Sequence, residues 1–208
     1  MQEMSYELTL NAPSAHNVMN AMHENTVRVI LNECSNFAKA NELDSKRAMH
    51  LRLLTEEMLS MLPNLMDYGS GKFYIENKDD MIQIHLELFL KESAVKAAIA
   101  KRAAEAKANA GKGTVGMLKR IAAAVDSAAL KMGVVKKEES SWSLSEYIES
   151  VRSTDREKNL EAWDELEHSV IANIADDVIV TSTVDSVNIT ICKDMVSNEK
   201  FQNNIEEE

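Results

Sequence analysis

Residues 111–116 have the composition of a phosphate-binding turn. Their sequence, Gly-Lys-Gly-Thr-Val-Gly, places three glycines and one lysine directly before a stretch with helical periodicity. Free backbone N–H groups and the helix dipole favour phosphate at the start of a helix. The stretch is not a P-loop, because it lacks the spacing of that motif. A glycine-rich helix connection also needs no ligand, so both interpretations stay open for the candidate binding residues, which are Gly111, Lys112, Gly113 and Gly116.

A second candidate site lies on a predicted helix that carries two adjacent carboxylates, Glu56 and Glu57. Residues four apart in a helix share one face, at a rise of about 6 Å. Four residues after Glu57 stands Met61, which cannot coordinate a hard cation, and Asn64 follows at a rise of about 10 Å. Ser60 keeps the four-residue spacing from Glu56, but a neutral hydroxyl is a weak ligand. These carboxylates are either part of a site or ordinary solvated helix charges.

Several other kinds of site are excluded by spacing. Cys34 and Cys192 lie far apart in apolar-periodic stretches, outside any Cys-x-x-Cys motif, and we interpret them as buried free thiols. No pair of histidines has the spacing of a helical zinc motif. His85 alternates with Ile84 and Leu86 in a predicted strand, which favours a satisfied surface or edge histidine over a metal ligand. We therefore assign no metal ligands.

The charge and the hydropathy of the chain restrict its partners. The 208 residues carry a formal net charge of -11, which repels phosphate backbones and anionic lipid. No stretch approaches the roughly 18 to 20 apolar residues that a membrane-spanning helix needs, and the first residues do not have the pattern of a secretory signal. We expect a cytoplasmic protein with no membrane or general nucleic-acid role.

Hydrophobic periodicity predicts the order of the elements that must position these candidate residues. Alternating side chains predict strands, and apolar residues at three- and four-residue spacing predict helices. The expected order is a strand at 6–10, a helix to 40, a helix from the N-cap Asp44 to about 68, a hairpin at 73–90, a helix at 155–174 and a hairpin at 178–191. This order predicts an α+β fold, a two-layer sandwich in which one mixed or antiparallel sheet is covered on one face by helices.

The middle of the chain differs in composition from the rest. Residues 92–132 are rich in alanine and locally basic, and residues 133–141 form a polar stretch that we interpret as a linker. We predict a helical insertion at about 92–141 within a single domain at 1–196, followed by a polar tail at 197–208. The clustered basic residues leave a local nucleic-acid contact as an alternative, although aromatic side chains for base stacking are not interleaved with them.

The predicted helix at the candidate carboxylates resembles one of a known family. Residues 43–47, leading into residues 51–60, are similar to the start of the helix that carries the catalytic box in anti-sigma-factor kinases of the histidine kinase-like ATPase superfamily. The Gly-Ser-Gly turn at 69–71 and the following hairpin also lie where that family has them. The resemblance covers the element order of 6–90 and 155–193. The family's Asp-x-Gly-x-Gly motif has no match between 90 and 110.

The resemblance implies an ATP-binding regulatory protein that uses magnesium and captures a protein partner on an exposed face. It implies that Glu57 is the general base, that Asn64 is a displaced ligand of the cofactor's metal, and that the glycine-rich turn with Lys112 holds the phosphates. The alternative is a non-catalytic protein-protein interaction module that keeps the fold without the nucleotide. In that case residues 92–132 would form a docking surface or a homodimer interface.

Overall fold

The computed structural model describes residues 3–8, 16–62, 69–78, 81–90, 116–131, 139–155, 157, 159–183 and 186–194. These residues form one six-stranded sheet with the strand order β1-β2-β3-β6-β5-β4, in which every described pair is antiparallel. The strands are β1 (Glu3–Leu8), β2 (Gly69–Lys78), β3 (Met81–Leu90), β4 (Glu139–Ser143), β5 (Asp177–Ser182) and β6 (Ser186–Asp194).

The described helices form a layer against one face of this sheet. They are α1 (His16–Ala40), α2 (Ser45–Ser60), α3 (Met117–Lys131), α4 (Leu144–Arg152), α5 (Leu160–His168) and α6 (Val170–Ile174). The predicted α+β sandwich is therefore confirmed, with an antiparallel sheet. Among the described helices, none combines the length and the apolar character that crossing a membrane requires.

Alternation along the central strands separates the two faces of the sheet. Ile84 and Leu86 on β3 are fully buried and belong to the same core as Leu54 and Met58 of α2. The predicted hairpin between β2 and β3 is confirmed, with Lys78 opposite Met81. Because side chains alternate with a period of two, the residues between these core positions lie on the face away from the helices.

His85 lies on that other face, and its predicted surface or edge position is wrong. The residue is only 6% exposed, and β3 has β2 on one side and β6 on the other. Its ring stacks on Tyr74 of β2 with a centroid distance of 4.3 Å, and Nδ1 lies 3.1 Å from the hydroxyl of Thr190 on β6. Alternation predicted the strand but not the position of that strand within the sheet.

The N-terminus of α2 follows the sequence closely. The carboxylate of Asp44 accepts a hydrogen bond of 2.8 Å from the backbone N–H of Arg47, which satisfies one of the free donors at the helix start. This hydrogen bond, more than the charge of the same arginine, lowers the pKa of Asp44. The cap predicted from sequence is confirmed, and it fixes where the helix that carries Glu57 begins.

The described part of the predicted insertion belongs to the main core. Helix α3 packs on β5 and β6, and its Ile121, Val125 and Ala128 are fully buried. Residues 91–115 and 132–138 lie outside the described residues, as does the tail from 195 onward. The insertion boundaries at about 92–141 therefore stay a prediction.

Two sequence-based expectations in the second half of the chain are wrong. The stretch interpreted as a linker overlaps β4, because pairing with β5 overrides the weak strand preference of its serine-rich sequence. The single helix expected at 155–174 is two helices, α5 and α6. Ser169 separates them because its backbone is extended and its hydroxyl caps α6 through Ala172 N at 3.1 Å.

Candidate functional site

A cavity of about 470 Å³ lies where the second half of α2 meets the start of α3 and the junction between α5 and α6. Its volume is in the range that small-molecule ligands and cofactors occupy. Four separate helices contribute to its wall, so it exists only in the folded chain. The lining residues are Glu57, Gly116, Met117, Leu118, Lys119, Asp164, Glu165, His168, Ser169 and Val170.

Two of the residues predicted from sequence meet in this cavity. Glu57 comes from α2 and Gly116 from the residue directly before α3, and the sequence selected each on separate grounds. Asn64 and the other turn residues, Gly111, Lys112 and Gly113, lie outside the described residues. Their predicted roles stay predictions.

The first turn of α3 provides hydrogen-bond donors at the cavity. The N–H groups of Lys119 and Arg120 bond to the carbonyl of Gly116 at 2.8 and 3.3 Å. The N–H groups of Met117 and Leu118 precede these in the helix, in the position where a helix offers no acceptor of its own. Together with the ammonium group of Lys119, this helix start favours an anionic ligand.

Gly116 itself is exposed, and a Cβ atom built on it would meet nothing within 4 Å. A ligand can therefore approach the backbone at Gly116 without obstruction, and an alanine there would fit without a clash.

Of the two adjacent carboxylates on α2, both of which are described, Glu57 lines the cavity and Glu56 does not. Partial burial, and secondly the neighbouring charge of Glu56, raise the pKa of Glu57 above its usual value. Glu56 instead forms a surface ion pair with Arg52 at 3.0 Å. Ser60 donates to the carbonyl of Glu57 at 2.7 Å, and Met61 is buried in the core. The four-residue partners considered from sequence therefore take no part in the cavity.

Glu165 is the most deeply buried charged group on the wall. Its side chain is 1% exposed, and Oε2 makes a short contact with Nε of Arg120 and accepts a hydrogen bond of 3.2 Å from the hydroxyl of Tyr147. The guanidinium of Arg120 also lies over the ring of Tyr147, 4.7 Å from its centroid. Oε1 is buried and has no hydrogen-bond partner in the described structure. The carboxylate is thus paired through one oxygen only.

Asp164 and His168 form an exposed pair beside Glu165. Nδ1 of His168 lies 2.8 Å from the backbone carbonyl of Asp164 and 3.4 Å from its carboxylate. The backbone hydrogen bond first, and the carboxylate charge second, raise the pKa of His168. The raised pKa favours the cationic form of this imidazole, at the same cavity as Lys119.

The cavity residues that the sequence did not reveal are Lys119, Asp164, Glu165 and His168. Asp164, Glu165 and His168 lie in a helix whose apolar face gave the dominant sequence signal. Within the described ranges, no group of three or more histidine, cysteine or acidic side chains could hold a metal ion. The arrangement can bind an anion at α3 and place one carboxylate with a raised pKa beside it.

No protein-family model matches the chain, and a search of curated proteins found no match.

Proposed function

We propose that the chain is an ATP-binding regulatory protein of the anti-sigma-factor kinase type, which acts on a protein partner in the cytoplasm. The observation that supports this proposal is the convergence of Glu57 and Gly116 on one cavity. The resemblance assigned a general base to the first and phosphate binding to the turn that ends at the second. Their positions far apart in sequence make this meeting a property of the tertiary fold.

In this proposal one wall of the cavity binds the phosphates and another helix, α2, provides the general base. The start of α3 and Lys119 would bind the phosphates through N–H groups and one ammonium. From α2, Glu57 would accept the proton of an attacking hydroxyl of a partner protein or of water. Its raised pKa supports this role, because a general base works best when its pKa approaches the operating pH.

Isothermal titration with ATP and magnesium, run beside a hydrolysis assay, tests this proposal. Glu57→Gln keeps the size of the side chain and should retain ATP binding while turnover is lost. Glu56→Gln is the matched control: it removes the adjacent charge, which is only the second cause of the raised pKa of Glu57, from a side chain that pairs with Arg52 outside the cavity. Because the Glu57 carboxylate stays in place, turnover should persist. Equal turnover in both variants would contradict the assignment of Glu57 as the base.

The alternative function is a non-catalytic protein-protein interaction module. Two observations favour it: Met61, one turn after Glu57, is buried in the core, and three carboxylates stand on the cavity wall. Buried or clustered carboxylates oppose a polyphosphate unless cations neutralise them. If isothermal titration detects no heat of binding at millimolar ATP, and the same protein unfolds cooperatively, the interaction module would be favoured. Sedimentation velocity would then test whether its partner is a second copy of the chain.

A further inference from the structure

We propose that Arg120 is a further anion-binding residue of this cavity. Glu165 neutralises Arg120 until an anionic ligand displaces the Glu165 carboxylate. The inference rests on the proposed use of the cavity for a phosphate-bearing ligand. It adds a residue that does not line the cavity in the described conformation, together with the internal carboxylate that competes for it.

The position of Arg120 in α3 suits an anion at the helix start. It lies in the first helical turn, directly after Lys119, and its backbone N–H bonds to the carbonyl of Gly116 at 3.3 Å. Side chains in an α-helix lean toward its N-terminus, so this guanidinium can reach back toward the free N–H groups. A planar guanidinium also binds phosphate oxygens in pairs, as it binds a carboxylate.

In the described structure a carboxylate of the chain takes the place of such an anion. Oε2 of Glu165 binds Nε of Arg120, and Tyr147 donates to the same oxygen. Oε1 remains buried without a partner, which leaves half of the carboxylate desolvated and uncompensated. A phosphate bound to Arg120 would allow Glu165 to move out and become hydrated. The two anions therefore compete for one cation.

Helix α5 carries Glu165 as its one buried charged residue. It has nine residues, and its N-cap Asn159 makes no side-chain capping hydrogen bond. Its two buried residues are Ala162 and Glu165, and Leu166 packs partly buried against the core. At its C-terminal end, the side-chain amide of Asn173 donates to the carbonyls of Leu166 and Glu167. Isolated helices of this length are marginal in water. Exchange of Glu165 for an external anion would remove this buried ion pair from α5 and should loosen its amides.

A double-mutant cycle at Arg120 and Glu165 tests the competition, with metal-free inorganic pyrophosphate as the probe. Glu165→Gln removes the internal anion, so pyrophosphate should bind tighter on the order of tenfold, as expected when a competing closed state is removed. The gain should vanish in Arg120→Gln combined with Glu165→Gln, because it depends on the freed guanidinium. Glu161→Gln, an exposed position of the same helix, is the charge-matched control and should leave affinity unchanged.

Hydrogen exchange of residues 160–168 supplies the structural readout. Pyrophosphate should increase exchange of these amides in the unmodified protein, and Glu165→Gln should do so without ligand. If Glu165→Gln disturbs folding, Tyr147→Phe removes only one hydrogen bond to the carboxylate and should give a smaller gain in the same direction. Unchanged or weaker binding in Glu165→Gln, a gain that persists without Arg120, or no pyrophosphate binding at all would each overturn the inference.

The result is separable from the proposed kinase function. Pyrophosphate competition with the expected cycle, but no binding or turnover of ATP, would retain the role of Arg120 and reject the nucleotide. ATP binding and turnover without any effect of Glu165→Gln would retain the proposed function and reject the competition.

Discussion

Replacing Leu54 by alanine should destabilise the helix that places Glu57 at the cavity. Leu54 is 0% exposed, lies three residues before Glu57 in α2, and belongs to the core shared with the sheet. The substitution removes buried methyl groups and leaves a cavity that neighbouring residues fill only in part. Met49, in the same helix, is 53% exposed, so Met49→Ala is a matched control with little core to lose.

The expected loss is about 3 kcal/mol of unfolding free energy, within the range for buried leucine-to-alanine changes. With a urea m-value of about 2 kcal/mol/M, the unfolding midpoint should fall by about 1.5 M. For a domain of this size, Tm should fall by about 6 to 12 °C. Met49→Ala should change the unfolding free energy by less than about 0.5 kcal/mol.

Urea denaturation followed by circular dichroism measures both variants against the unmodified protein, with calorimetry for Tm. An unchanged m-value in Leu54→Ala would show that the effect is one of stability, not of the denatured state. A loss below about 1 kcal/mol for Leu54→Ala, or equal losses at both positions, would refute the placement of this side chain in a close-packed core.

Three further predictions concern single side chains. Cys34 and Cys192 are buried and burial raises the pKa of both thiols, so a thiol reagent should label the native protein far more slowly than the urea-unfolded protein, and equal rates would contradict their burial. In an NMR titration His50 should titrate below its usual pKa, mainly because of partial burial. His168 should titrate above its usual pKa, because the backbone carbonyl of Asp164 accepts a hydrogen bond from Nδ1; the reverse order would contradict both positions. Because the pKa of His168 is raised in the folded state, its protonated form stabilises the fold at pH values below the pKa that His168 has in the unfolded state. This contribution is lost as pH rises through the pKa of His168 in the folded state. Asp177→Ala should cost about 2 kcal/mol in chemical denaturation, because this carboxylate accepts backbone and hydroxyl hydrogen bonds where β4 meets α4, whereas Asp177→Asn should cost less.

The features that the sequence predicted correctly depend on neighbours along the chain. The Asp44 cap, the hairpin between β2 and β3, and the hairpin between β5 and β6 each follow from residue types within a few positions of one another. Capping and alternation are local properties, so they need no knowledge of the remaining fold. The features predicted wrongly depend on distant partners. β4 forms because β5 offers an edge to a serine-rich stretch, and His85 is buried because β6 completes the sheet beside it.

The candidate site shows the same division. The sequence by itself determined that Glu57 lies on a helix capped by Asp44 and that a glycine precedes α3. Only the tertiary structure decided that these two residues share a cavity, and that Glu165 on α5 neutralises Arg120 beside it. The physical reason is that helical periodicity fixes which face of each helix is apolar, whereas the packing of several helices on one sheet fixes which polar residues at their ends come together.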